Sequence, residues 1–206
     1  MKPASASTAQ FSLAVRRVVA LIDDRQPGYA RHANSVARLT RMVGLQFNLG
    51  SRALESLRLA ALLHDAGSLR LPFGHVGSRW QLVAEERLVW EAHPAAGAML
   101  ARTLDLSPEV ERAVLGHHER WDGSGYPYGL SGTQIPLMAR ILGVCDNYDE
   151  ARSGHLELDS QQLTEAEALA RLRSDELRRF DQDVVLGLGD ALGQEREISA
   201  LTGVLG

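Results

Sequence analysis

The sequence predicts an all-α domain, and three observations carry that expectation. Apolar residues recur at three- and four-residue intervals through most of the chain. Helix starts and stops (Ser-Pro-Glu and Thr-x-x-Glu before the runs, Asn, Gly and Pro after them) punctuate those intervals. No segment alternates apolar and polar residues as a half-buried strand does.

Residues 1–10 read as a small, polar leader. Phe11, Leu13, Val15, Val18, Val19, Leu21 and Ile22 then form an amphipathic first helix, stopped by Pro27-Gly28, that either packs on the domain or forms a homodimer interface. A second helix runs from Tyr29 to Gln46 with Val36, Leu39, Met42 and Val43 along one face, and Asn48 and Gly50 stop it. Ser51 can cap a third helix carrying Leu54, Leu57, Leu59, Leu62 and Leu63. Gly67 to Gly77 reads as a loop, and Leu82 to Leu104 as helix interrupted at His93-Pro94, where proline removes a backbone donor. Ser107-Pro108-Glu109 opens the next helix, which carries Val110, Val114 and Leu115 and delivers His117-His118. Gly123 to Pro136 is a long loop, and Leu137 to Ala151 is helical. The capping box Thr164-Glu165-Ala166-Glu167 starts a short helix to about Leu172. Phe180-Asp181 opens a last helix through Leu192, beyond which the text is weakly specified. The organisation expected is a leader and helix over 1–27, a main domain over 28–192 and a tail over 193–206.

A chain of 206 residues, 45% hydrophobic, can bury a substantial core. Its net charge of −4 and pI near 6.0 provide no basic footprint, which argues against nucleic-acid backbone as the partner. The single cysteine, Cys145, rules out an internal disulfide and reads as a buried thiol on an apolar helix. No apolar run approaches the ~20 residues of a membrane span, and no signal-peptide core is present, so a soluble, cytoplasmic protein is expected. The 27 residues ahead of the main domain are too few for an attached sensor domain, so regulatory input is expected from elsewhere.

Chemistry concentrates in the histidines. Of seven, His32, His64, His93, His117 and His118 fall within or at the ends of helical patterns, while His75 and His155 lie in loop-like text. Neutral imidazole is the commonest protein metal ligand. Taken singly, His32 reads more readily as a surface or helix-start residue, His93 as part of a helix junction and Asp146 as a solvated helix position. His64-Asp65 is harder to dismiss, because a charge entering a core at the end of an apolar helix needs partners. His117-His118, followed by a loop of Asp, Gly, Ser and Pro, is harder still. At a helix end the backbone can turn, so that both members of a doublet reach one cluster. A carboxylate such as Asp65 offers two oxygens and can bridge two cations. Two cations ~3.5–4 Å apart can clamp the attacking and leaving oxygens of a phosphoryl displacement. Histidine-rich ligation favours iron, manganese or zinc over magnesium.

Three stretches carry a resemblance to a known family: Leu63-His64-Asp65-Ala66-Gly67, His93-Pro94-Ala95-Ala96-Gly97, and His117-His118-Glu119-Arg120-Trp121-Asp122-Gly123-Ser124-Gly125-Tyr126-Pro127. Gly129-Leu130-Ser131-Gly132, Ile135 to Ile141 and Asp146-Asn147-Tyr148-Asp149 continue it. Over roughly residues 28–190 the chain resembles the HD-GYP subgroup of HD-superfamily phosphohydrolases. The resemblance implies an all-α HD-domain bundle that hydrolyses the bacterial second messenger cyclic di-GMP, to linear pGpG or GMP, at a centre of two divalent ions. It implies that His32, His64 and Asp146 hold one ion and His93, His117 and His118 the other, with Asp65 bridging them and orienting the nucleophile. It also implies a protein partner, such as a diguanylate cyclase, at the Gly123–Pro127 loop.

Three departures accompany the matches. Gly28 stands where members with a third metal carry glutamate. Ser68 stands where the family has a phosphate-contacting lysine, and His155-Leu156-Glu157-Leu158 aligns with an Arg-Pro-Tyr-Arg segment. Arg70, Arg120 and Arg152 are the candidate replacements. The departures keep two alternatives open: an impaired module that acts by binding ligand or partner, and hydrolysis of another phosphoester.

Overall fold

The computed structural model describes residues 8–70, 83–153, 162–174 and 178–202. These residues form nine α-helices and no strand: α1 (Thr8–Arg25), α2 (Tyr29–Gln46), α3 (Ser51–Leu63), α4 (Ala84–Trp90), α5 (His93–Thr103), α6 (Pro108–Gly116), α7 (Leu137–Ser153), α8 (Glu165–Arg173) and α9 (Gln182–Thr202).

Helix α2 is the centre of the bundle. Its residues Ala33, Val36, Leu39 and Val43 are completely buried, spaced so that one stripe faces inward along its length. Around it lie α1, α3, α7 and α9; α6 joins α3 to α7, and α5 lies on α6. The first helix packs on the domain through Val15, Val19 and Ile22, while Leu13 and Leu21 remain exposed. The Asp23 carboxylate, near the end of α1, accepts hydrogen bonds from the backbone N–H groups of Gly28 (3.1 Å) and Ala30 (2.8 Å). These are donors that the first turn of α2 leaves without helical partners.

Most helix limits follow the caps. The Ser107 hydroxyl accepts from Val110 N at 3.5 Å, and Thr164 and Glu167 form a reciprocal capping box. Asp181 caps α9 by accepting from Asp183 N at 3.0 Å. Three expectations are corrected. Gly50, in extended conformation, holds the cap position of α3, and Ser51 is its first helical residue. The expected loop from Gly67 begins as a 3-10 segment, Ala66–Arg70, packed on α5; residues 71–82 lie outside the described residues. Helix α9 continues past Leu192 to Thr202. Its buried residues end at Leu192, so the apolar periodicity stops there although the helix-forming text Gln194-Glu195-Arg196-Glu197 goes on. Among the described residues, no helix is long and apolar enough to cross a membrane.

Candidate metal centre

Five helices deliver the predicted ligands to one place. His32 comes from the first turns of α2, His64 is the C-terminal cap of α3, and Asp65 follows it. His93 opens α5, His117 caps the end of α6, and Asp146 lies within α7. All seven predicted residues converge. The ligand atoms of His32, His64 and Asp65 lie within 4.8 Å of one another, as do those of Asp65, His93, His117 and His118. Asp65 belongs to both groups, one oxygen to each: Oδ2 is 3.2 Å from His64 Nε2, and Oδ1 is 3.2 Å from His93 Nε2 and 3.8 Å from His117 Nε2. Asp146 joins the first group, with Oδ1 3.1 Å from His32 Nε2 and 3.5 Å from His64 Nε2.

At four of the rings the outer side fixes which nitrogen faces the centre. His64 Nδ1 donates to the Ala61 carbonyl at 2.8 Å, His93 Nδ1 to Trp90 at 2.7 Å and His117 Nδ1 to Val114 at 2.6 Å. His32 Nδ1 donates to Asp149 Oδ2 at 2.7 Å. Carbonyls and carboxylates only accept, so each neutral ring turns a lone pair inward at Nε2. Those lone pairs face one another: His32 and His64 Nε2 are 3.4 Å apart, and His93 and His117 Nε2 are 3.5 Å apart. Asp146 Oδ1 is buried and has no hydrogen-bond partner. Acceptors gathered at such distances require positive charge between them, which divalent cations supply. The donor set therefore fits bound divalent metal.

The electrostatics agree. Burial alone would depress the His64 pKa, but Asp65 and Asp146 outweigh it and raise it to about 9. Burial likewise opposes charge on His32, and the neighbouring Asp146 and Asp149 overcome it, so that its pKa is raised well above the usual value. His117 is shifted down, chiefly by burial. Burial opposes ionisation of Asp65 and Asp146, yet the surrounding imidazoles hold both below the usual carboxylate range. Without cations, protons on His64 and His32 supply the charge that the two carboxylates demand.

Two glycines make the convergence sterically feasible. A Cβ at Gly67 would overlap the His93 carbonyl oxygen and stand 2.7 Å from Gly97 N, so the turn after Asp65 packs backbone to backbone on α5. A Cβ at Gly143 would stand 2.6 Å from the His117 carbonyl, so α7 lies directly against the end of α6. The family text thus mixes ligands with residues that bring the ligand-bearing backbones together.

Sequence reasoning quoted Asp149 and Glu119 without giving either a role. Asp149 orients His32 and accepts from the Ser35 hydroxyl as well; its three-residue spacing from Asp146 on α7 was the available signal. Glu119 is buried and accepts from Tyr128 N (2.8 Å) and Leu130 N (2.9 Å), which folds the glycine-rich loop back over the His117-His118 turn. No sequence pattern announces that role. Of the departures, Gly28 has φ of 98°, a conformation that strains any residue with a side chain, including the glutamate of third-metal members. Ser68 lies in the 3-10 segment beside Asp65. Arg152 is engaged with the Leu163 carbonyl, and Arg70 is exposed at the end of the 3-10 segment. His75 and the segment His155-Leu156-Glu157-Leu158 lie outside the described residues.

A family profile described as HD domain matches residues 16–184. The cyclic di-GMP phosphodiesterase response regulator RpfG of Xanthomonas campestris pv. campestris is 32% identical over 167 residues, covering 80% of this chain and 44% of that protein. A 3'3'-cGAMP-specific phosphodiesterase 3 of Vibrio cholerae is 33% identical over 129 residues, covering 63% of this chain and 28% of that protein. The chain thus spans less than half the length of these curated relatives. Among solved structures, Bd1817, a HDG"Y"P protein from Bdellovibrio bacteriovorus, superposes with a TM-score of 0.67 at 18% identity, covering 91% of this chain and 65% of that one. The HD domain of PgpH from L. monocytogenes in complex with cyclic-di-AMP superposes with a TM-score of 0.60 at 18% identity, covering 91% and 96%. These two likenesses establish the fold. With the profile match spanning most of its length, the chain belongs to the HD domain family.

Proposed function

We propose that the chain is a metal-dependent phosphodiesterase acting on cyclic di-GMP, with His32, His64 and Asp146 holding one divalent ion, His93, His117 and His118 a second, and Asp65 shared between them. The observation that carries the reading is the inward-facing set of Nε2 lone pairs and carboxylate oxygens, with the His32, His64, His93 and His117 rings locked from behind. When bound, such a pair of ions supplies an activated water and neutralises charge developing on a phosphodiester. The chain's own residues do the rest. The locked rings would hold the ions without reorganising, and Asp65 offers one oxygen to each group. Asp65 stays ionised, held below the usual carboxylate range by the surrounding imidazoles, and can orient an attacking water as a hydrogen-bond acceptor.

The choice of cyclic di-GMP rests on the named activities of relatives such as RpfG. Other relatives are named for cGAMP, so guanine–guanine selectivity is part of the test. Anaerobically purified protein resupplied with iron or manganese is expected to convert cyclic di-GMP faster than cGAMP or cyclic di-AMP, and Asp65→Ala to abolish the conversion. Metal-loaded protein that turns over none of the three would favour a binding module instead. Ser68 affects affinity rather than chemistry. A charge-assisted contact to phosphate contributes ~1.5–3 kcal/mol, and ~1.4 kcal/mol is tenfold. Ser68→Lys is therefore expected to lower KM for cyclic di-GMP about tenfold or more with kcat little changed.

A further inference from the structure

We infer that Tyr126 is a positioning residue for the second ion's site: its ring holds the His118 imidazole in the orientation in which it meets Asp65, His93 and His117. The inference rests on the metal-centre reading above and adds to it a residue outside the ligand set.

At four of the imidazoles a hydrogen bond from Nδ1 sets the ring plane. The His118 ring is packed between aromatic neighbours, with His117 at 4.0 Å, His93 at 4.9 Å and, from outside the ligand set, Tyr126. The Tyr126 and His118 ring centroids are 4.8 Å apart with planes 35° from parallel, and Tyr126 also meets His93 at 6.4 Å in an edge-on arrangement of 78°. The backbone grips the same residue, because Tyr126 N donates to the His118 carbonyl at 3.2 Å.

Local structure delivers the ring there. The chain passes over the His117-His118 turn at Gly125, where a Cβ would stand 2.6 Å from Glu119 Cα. Glu119 pins the far side of the loop at Tyr128 and Leu130, and Asp122 holds the near side by accepting from Ser124 N at 2.9 Å and its hydroxyl at 2.6 Å. Tyr126 thus stands in a rigid loop, gripping one ligand at two points. The first site has its own tyrosine: Tyr29 lies 6.2 Å from the His32 ring and 5.8 Å from the His64 ring, and its hydroxyl donates to the Leu62 carbonyl at 3.2 Å. The arrangement predicts that a change at Tyr126 acts on one ion and spares the other.

The test is calorimetric titration of the metal-free full chain with Mn(II), and with Co(II) while following its visible absorption, for wild type, Tyr126→Phe, Tyr126→Leu and Tyr126→Ala. The expected result is two binding events in wild type and in Tyr126→Phe. In Tyr126→Ala and Tyr126→Leu one event is unchanged and the other weakened about 10–100-fold, the range for loss of a group that orients a ligand, with an altered Co(II) spectrum for that event alone. Two events of wild-type strength in Tyr126→Ala would overturn the inference, as would equal weakening of both events with a lowered melting temperature of the metal-free protein. The leucine variant keeps the loop packed should alanine unfold it. A wild type that binds no metal would overturn the underlying metal-centre reading as well, and is recognised before any variant is compared.

Discussion

At His32, His64, His93 and His117, the nitrogen facing away decides the chemistry of the one facing in. Ala61, Trp90 and Val114 contribute only backbone carbonyls, which any residue there could supply, so nothing in the sequence marks them. Asp149 is different, because it is a side chain and can be removed. Asp149→Ala is expected to weaken binding of the ion at His32 about 10–100-fold, read by competition against a chelating dye, with helical content intact. Of the candidate ligands, His64-Asp65 and His117-His118 were legible as doublets at helix ends, and His32, His93 and Asp146 only through family likeness. Their second partners were not, since Asp149 looks like any exposed helical carboxylate until the fold turns it toward His32. Glu119 was equally silent: a glutamate buried by its own loop carries no periodicity to betray it.

Helix ends do most of the positioning. Three of the ligand histidines stand at the limits of α3, α5 and α6, where the chain departs from helical geometry and neighbouring side chains can aim at one point. This convergence requires the 3-10 segment to lie on α5 without an intervening side chain, so Gly67→Ala must separate them. Overpacking of this kind costs ~1–3 kcal/mol. At ~2–4 °C per kcal/mol for a chain of this size, the metal-free melting temperature is expected to fall by about 2–12 °C, with metal affinity lost because His93 moves. A melting temperature and metal affinity equal to wild type would show that the contact is dispensable. The long loop after His118 is anchored similarly, with Arg140 donating to the Ile135 carbonyl at 2.9 Å, paired with the buried Asp181, and lying 5.6 Å from the Trp121 ring. Arg140→Met leaves the Asp181 carboxylate without its guanidinium, and a loss of ~3–5 kcal/mol in urea unfolding is expected. Helix order and most boundaries followed from caps and periodicity. The sequence signal lapsed at the 3-10 segment, where tertiary contact decides the backbone, and along the exposed end of α9, where nothing is buried to set a period.

Across the whole molecule, the centre joins α2, α3, α5, α6 and α7, elements that also pack on one another. Ions bound to the native state only must stabilise it, by ~2.7 kcal/mol at a free concentration one hundred times the dissociation constant. Stripping the metal with a chelator is expected to lower the melting temperature by about 5–11 °C, and the same treatment of Asp65→Ala to lower it less. Family membership and the all-α bundle were legible from the text around His64, His93 and His117. Selectivity among cyclic dinucleotides was not, because it depends on groups around the substrate rather than on the ligands that name the family. The most direct measurement is the metal content per chain, by elemental analysis of anaerobically purified protein after incubation with Fe(II), Mn(II) or Zn(II) and removal of the excess. The geometry predicts two ions per wild-type chain, falling to one or fewer in Asp65→Ala with helical content retained. A folded wild-type chain that retains less than one ion under all three conditions would contradict it.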